Sequence, residues 1–447
     1  MRNRSYLIAC FSLLCAGTSS FAQGPIRLRE LVTAGTTCHV TTHVDLAGQL
    51  TVPPEEGQKS ASKVSLAGRS FIEYDERVLD TGTPDRPGPR TLRIYRRVDL
   101  DRTVGDKPQD VSIRPAVRRM VILRTGHREV PFSPDGPLTW SEIDLVRTDV
   151  FTPALTGLLP DRSVVPGDRW PATAAAVEEL TDLEKIEEGT LDCRFDEITS
   201  LAGRRLARVR VTGSVRGVNE DGPNRQQFDG YFYFDLTTNH LSYLSLEATH
   251  FLLDKDGQTA GQVKGRFVLT REVKAPSGDL RDEVIRGLAL EPTAENTLLL
   301  YDNPELGVRF LYPRRWRVGV VRGRQVILDE ANGNGLLLTV ESPANVPTGA
   351  AYLAECQTYL TKEQRAKILR TDAPRPLSNQ LEQLGLDVEI SGRRERMEYY
   401  IIRQSAGGAV LAARLQAEES PALERDVERI ARSVQVMAPV SLPRPVK

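Results

Sequence analysis

The chain has 447 residues, 40% hydrophobic and 27% charged, with 59 Lys and Arg against 60 Asp and Glu. Such a length allows two or three domains, each with a core of its own, and the composition excludes global disorder. The charge balance leaves no basic surplus for a phosphate backbone, which argues against nucleic-acid binding.

At the N-terminus, Arg2 and Arg4 precede an apolar run from Tyr6 to Ala16, and Ser20-Phe21-Ala22 supplies a small-x-small site. This pattern predicts a signal peptide over 1–22, cleaved near Ala22, with the mature protein periplasmic or secreted. A membrane anchor needs about 20 apolar residues; the run holds about half that, and no later segment comes close. Leu7-Ile8-Ala9-Cys10 matches a lipoprotein box, but cleavage there would leave about three apolar residues where roughly 7–15 are needed. Loss of Arg2 and Arg4 leaves 57 basic against 60 acidic residues, a mature net charge near −3.

Cys38, Cys193 and Cys356 remain after cleavage. An odd count in an oxidising compartment means one pair and a spare thiol, or no pair. Cys38 and Cys193 lie in strand-like segments of the same region and form the natural pair. Closing a loop of ~155 residues would restrain the unfolded chain by up to about 5 kcal/mol.

Residues 28–273 read as a β-rich domain. Cys38, Val40, Thr42, Val44 and Leu46 alternate with His39, Thr41, His43 and Asp45, the period of a half-buried strand. Further strands are expected over Lys63–Leu66, Ser70–Val78, Thr91–Val98 and Val111–Leu123, with the loop Thr83–Pro89 between two of them. A short helix over Leu138–Val146 has Thr139 as its cap, and the run Pro160–Trp170 connects it onward to a buried tryptophan. Three long hairpins are expected from Thr190 to Val273, turning at Ala202-Gly203, Asn239 and Asp256-Gly257. Such strands suggest an open curved sheet or half-barrel.

Residues 274–297, with Pro276, Gly278 and Pro292, read as a linker with one helical turn near Leu280–Ile285. A second domain then spans 298–437. Its strands are Val308–Tyr312, Trp316–Val320, Gln325–Leu328 and Leu336–Glu341, with a type I′ signal at Asn332–Gly335. A helix from Thr348 places Tyr352, Cys356 and Tyr359 on one face. Three strands follow, over Leu386–Ile390, Met397–Arg403 and Val410–Leu415. A final helix starting at Ser420-Pro421 buries Leu423, Val427, Ile430, Ala431 and Val434. The tail 438–447 is proline-rich and short, and is expected to be disordered.

The opening YDNPELGVRFLYPRRW (Tyr301–Trp316), the order of strands and helices, and the ending Ile430, Ser433, Val434 and Val436 resemble the PsbP-like and DcrB-like α+β superfamily. The resemblance covers about Leu298–Met437, a third of the chain. It implies an antiparallel sheet with two helices on one face, and a non-catalytic module that docks on partners. The strand-rich first region and its VVPGDRW run are similar to bacterial envelope proteins of unknown function. Its long hairpins resemble, in shape alone, the half-barrel of LolA and LolB.

Chemistry is harder to place. On a strand, Cys38 faces away from His39 and His43, and the two histidines stand about 13 Å apart, too far to share a zinc ion. His127, His240 and His250 are scattered, and no Gly-x-Ser-x-Gly elbow accompanies them. With 60 acidic residues, pairs such as Glu178-Glu179 and Glu187-Glu188 read as a solvated face, and the spacing a glycosidase needs is set by the fold rather than by sequence. Asp99 with Asp101, and Asp254 with Asp256, do not continue into a calcium loop. No metal, cofactor or catalytic set is therefore expected. Trp140, Trp170 and Trp316 read as core residues. In Tyr231-Phe232-Tyr233-Phe234 the tyrosines face one way and the phenylalanines the other, which suits a strand covered on both sides or one lining an apolar cavity. The leading expectation is an exported, non-catalytic protein that binds an envelope or extracellular protein. The alternative is a carrier of an apolar small molecule, and a carboxylate hydrolase working between the domains comes third.

Overall fold

A computed structural model describes residues 24–52, 62–82, 89–105, 107–110, 112–125, 128–147, 149–219 and 222–438. The expected signal at 1–22, most of the loop at 83–89, His127 and all but the first residue of the 438–447 tail lie outside the described residues.

In the first part, β1 (Ile26–Arg27) is followed by three long strands, β2 (Thr37–Val52), β3 (Ser62–Asp80) and β4 (Arg90–Val104). Next come β5 (Lys107–Asp110), β6 (Arg119–Thr125), β7 (Arg128–Phe132), α1 (Trp140–Arg147), β8 (Ser163–Val164), β9 (Arg169–Pro171) and α2 (Ala174–Thr181). Five long strands close it: β10 (Lys185–Leu201), β11 (Arg204–Asn219), β12 (Gly222–Asp235), β13 (His240–Leu253) and β14 (Thr259–Val273). One antiparallel sheet results, in the order β7-β6-β4-β3-β2-β14-β13-β12-β11-β10-β9, with β5 beside β4. The first long strand pairs with the last, Cys38 opposite Val273 and Leu50 opposite Gly261, so the two halves of this part meet in mid-sheet.

Alternation along the strands gives the sheet one apolar and one polar face. Val40, Ile72, Phe195, Val209, Phe232, Leu244 and Leu269 are buried in one cluster on the first face. α1, α2 and the turn Thr152–Leu158 contribute Ile143, Val146, Val177, Leu155 and Leu158 to the same cluster. Thr139 and Glu142 cap α1 reciprocally, each backbone N–H donating to the other side chain at 2.8 and 3.3 Å. Glycines permit a tight bend. A Cβ on Gly230 would lie 2.1 Å from the Ser245 carbonyl oxygen, and one on Gly213 would lie 2.2 Å from that of Thr190.

Several expectations change. Lys63–Leu66 and Ser70–Val78 are one strand, because Gly68 continues the ladder opposite Leu46 and Arg102. The strand expected over Val111–Leu123 gives way to a 3-10 turn at Pro115–Val117, where proline lacks a ladder donor, and the strand starts at Arg119. A fourth hairpin turns between Asn219 and Gly222. The Cys38–Cys193 bond is not formed, and all three cysteines among the described residues are buried free thiols. Four strands separate β2 from β10, roughly 24 Å along the sheet at ~4.8 Å per strand, beyond the reach of a disulfide. Burial pushes the Cys193 thiol up to about 12. In a chain lacking residues 1–22, three thiols should therefore titrate in denaturant without reductant. A titre of one, rising to three on reduction, would contradict this arrangement.

The segment 274–297 is strapped along the first part. It holds a 3-10 turn at Gly278–Leu280 and the single helical turn α3 (Asp282–Ile285). Leu280 is buried against Leu92, Val121 and Phe132. Arg77 and Arg90 donate to the Leu280 and Leu290 carbonyls at 2.6 and 3.2 Å.

In the second part, β15 (Leu299–Asn303) and β16 (Val308–Tyr312) form a small sheet with the terminal β24 (Gln435–Val436). The larger sheet contains β17 (Trp316–Arg322), β18 (Gln325–Glu330), β19 (Gly335–Glu341), β20 (Lys367–Ser378), β21 (Leu381–Ile390), β22 (Arg393–Gln404) and β23 (Gly407–Gln416). Its order is β17-β18-β19-β23-β22-β21-β20. β20 was not expected from sequence; as an edge strand with three register shifts it tolerates Pro374 and Pro376. The helices are α4 (Gly349–Lys362) and α5 (Ser420–Ser433). They do not share a face. Tyr399 and Ile401 pack with Cys356 and Leu360 of α4, whereas Tyr400 and Ile402 pack with Leu423, Val427 and Ile430 of α5. Neighbouring residues of a strand point to opposite faces, so the sheet lies between its helices. The chain as a whole is mostly antiparallel sheet.

Candidate functional site

The aromatic strand divides as its alternation predicts. Phe232 and Phe234 have no exposure and belong to the core. Tyr231 and Tyr233 lie half-buried on the polar face and meet Tyr243 of β13, with ring centroids 5.4 to 5.9 Å apart. The Arg208 guanidinium sits 4.8 Å over the Tyr231 ring. The phenylalanines therefore line no apolar cavity. The seam between the two parts is closed as well: Leu138 and Leu299 bridge it, the Leu300 N–H donates to the Leu138 carbonyl at 2.8 Å, and Arg317 covers Trp140 at 5.6 Å.

The polar face carries a hollow of about 1080 Å³ lined by β2, β3, β4, β12, β13 and β14. Six strands span about 24 Å at ~4.8 Å per gap. Register sets one row of side chains straight across it: Asp101, Arg69, Asp45, Arg266, Glu247 and Asp229 are successive cross-strand partners. Beside it runs a second row, Thr103, Ala67, Ala47, Lys264, Thr249 and Gln227. Arg69 reaches Asp45 at 3.5 Å, and Arg210 holds Asp229 at 3.1 Å. Among the described residues, Glu247, Lys264 and Arg266 form no ion pair. The lining holds four carboxylates and three cations but no histidine, cysteine, serine or tyrosine. Its side chains are equipped to recognise a polar surface.

A second constellation is buried on the opposite face. Arg93 is wholly enclosed and donates to Glu76 at 2.9 Å, Asp149 at 3.0 Å and the Val150 carbonyl at 2.8 Å, with its guanidinium 4.6 Å from the Tyr74 ring. Thr152 donates to the other Glu76 oxygen. Nearby, Arg124 pairs with Glu179, which accepts from the Phe151 N–H at 2.6 Å. Burial pushes Glu129 up to about 7, with Arg93 and Arg124 opposing. The cluster pins the segment after α1 onto β3 and β4, a structural role. Sequence reasoning passed over it, although one signal was present. Glu76 breaks an apolar series, Ile72, Tyr74, Val78, on a single strand face.

In the second part Glu398, fully buried on the α5 face, is pushed up to about 7 by burial and by Glu424. It accepts from Gln383 at 2.5 Å. His39 and His43 pair with Asp75 at 2.8 Å and Asp45 at 2.9 Å. Among the described residues no group of three or more His, Cys, Asp or Glu is placed to hold a metal ion, and no helix is long and apolar enough to cross a membrane.

No known family matches the sequence, and no curated protein matches it. Solved structures give partial likenesses. The cyanobacterial PsbP of Synechocystis sp. PCC 6803 is 15% identical with a TM-score of 0.26, over 31% of this chain and 92% of that one. The Ran-binding protein Mog1p of Saccharomyces cerevisiae is 8% identical with a TM-score of 0.26, over 32% of this chain and 96% of that one. Lipovitellin is 9% identical with a TM-score of 0.31, over 55% of this chain and 26% of that one.

Proposed function

We propose that this is an exported, non-catalytic binding protein whose partner is a polypeptide of the envelope or the extracellular space, seated in the polar hollow. The observation that carries this reading is the division of labour between the two faces of the sheet. Most of the sheet's large apolar side chains lie in the core, while the hollow on the other face presents seven charged side chains over six strands, with Ala47 and Ala67 between them. A surface of that breadth and polarity suits a macromolecular partner better than a small apolar one. The leader pattern at 1–22 supports export, and the packing pattern of 298–437 supports a PsbP-like module in the second part.

The carrier reading loses Phe232 and Phe234, which are closed off in the core, and keeps Tyr231 and Tyr233 on the open face. Native mass spectrometry of the mature chain, purified without detergent from its host's envelope fraction, separates the two. The expected mass is that of the polypeptide alone. An excess of a few hundred daltons, lost on denaturation, would overturn the binding-protein reading in favour of a carrier.

A further inference from the structure

Resting on that reading, we propose that the occupant of the hollow is an α-helix of the partner, acidic along one flank and basic along the other, lying over β13. The first reason concerns backbone hydrogen bonds. Every strand of the hollow is paired on both sides, so its face offers an incoming chain no free N–H or C=O groups. An extended segment gains its affinity at a sheet edge. A segment bound to a face must satisfy its own backbone, and a helix does so.

The second reason is the placement of charge. Lys264 and Arg266 stand two residues apart on the polar side of β14, about 7 Å from each other, and neither is ion-paired among the described residues. Asp229 and Glu247 face each other across β12 and β13, an arrangement that is destabilising for like charges. Arg210 relieves Asp229, whereas Glu247 has no partner of its own. Arg266 and Glu247 are cross-strand neighbours but do not close an ion pair. β12 and β14 lie on either side of β13, about 10 Å apart at ~4.8 Å per gap. That spacing matches the 10–12 Å diameter of a helix with its side chains. A helix with acids towards β14 and bases towards β12 would meet both sets at once. Tyr231 and Tyr243 along β12 and β13, with Arg208 of the neighbouring β11, extend the surface with residue types enriched at binding hot spots.

The test places p-benzoylphenylalanine at Thr249 of the full chain, expressed in its own host and irradiated there. The expected product is a crosslink to a helical segment with that flank pattern. Its yield should fall at least tenfold in Lys264→Glu/Arg266→Glu, with an unchanged melting temperature, and return when the acids of the captured segment are changed to Lys. If the charge reversal prevents folding, Lys264→Gln/Arg266→Gln should give the same loss. A polypeptide crosslink insensitive to both double variants, or one to an extended segment, overturns the helix while leaving the binding-protein reading intact. A crosslink only to lipid or glycan, or none at all, overturns both.

Discussion

Arg93→Met is expected to lower the unfolding free energy at pH 7 by about 3–5 kcal/mol, the cost of breaking a buried ion pair from one side. The reason lies in what remains. Glu76 and Asp149 are almost wholly enclosed, with side-chain exposures of 3% and 0%, and without the guanidinium neither has a neutralising partner. A carboxylate stranded in that position must take up a proton or draw in water. The triple variant Arg93→Met/Glu76→Gln/Asp149→Asn removes the charges together and should recover much of the loss, since replacing a whole buried network often costs little. Urea unfolding of the three proteins decides the matter. A loss under about 1 kcal/mol for Arg93→Met would mean that the cluster is hydrated and contributes little to stability.

Glu398→Gln should stabilise the protein above neutral pH and leave it unchanged in acid. Burial, reinforced by Glu424 of α5, raises the Glu398 carboxyl to about 7 against the opposing effects of Gln383, Arg396 and Tyr400. In the unfolded chain the same group titrates near 4.5. Between these values the unfolded state gives up its proton while the folded state keeps it. Stability therefore falls as pH rises from 4.5 to 7 and is level above, a loss of about 3 kcal/mol. Glutamine imitates the protonated acid and escapes that loss. The gain should reach about 3 kcal/mol at pH 8 and vanish near pH 4. Glu129, also raised to about 7, should add a loss of the same sign and in the same window. A pH-independent effect of Glu398→Gln would show that its carboxyl is not held protonated.

The sequence revealed local pattern far better than long-range placement. Alternation from Cys38 to Leu46 announced β2, and the two-faced run Tyr231 to Phe234 announced a strand whose phenylalanines are core. Helical spacing in α5 identified the buried residues Leu423, Val427 and Ile430. Pro115 interrupts the strand expected over Val111–Leu123, and the edge strand that holds Pro374 and Pro376 was not anticipated. The side of the sheet on which each helix packs was not legible, because an amphipathic stripe says that a helix packs and not against which face. The hollow was hidden for a related reason. Asp45 and Arg266 are direct partners although 221 positions apart in the chain, so the charged row exists only once β2 has met β14. Nothing in a run of exposed polar side chains marks that meeting in advance.

The central claim is that the polar hollow is where a protein partner docks, and one comparison tests it most directly. p-Benzoylphenylalanine is placed singly at Gln227 in the hollow, and at the exposed Leu201 and Tyr359 away from it. Each full-length variant is irradiated in its host, and the yield of polypeptide crosslinks is measured. The account predicts one discrete partner captured from Gln227 and little from the other two positions. Equal capture from all three, or capture from Leu201 or Tyr359 alone, would contradict it.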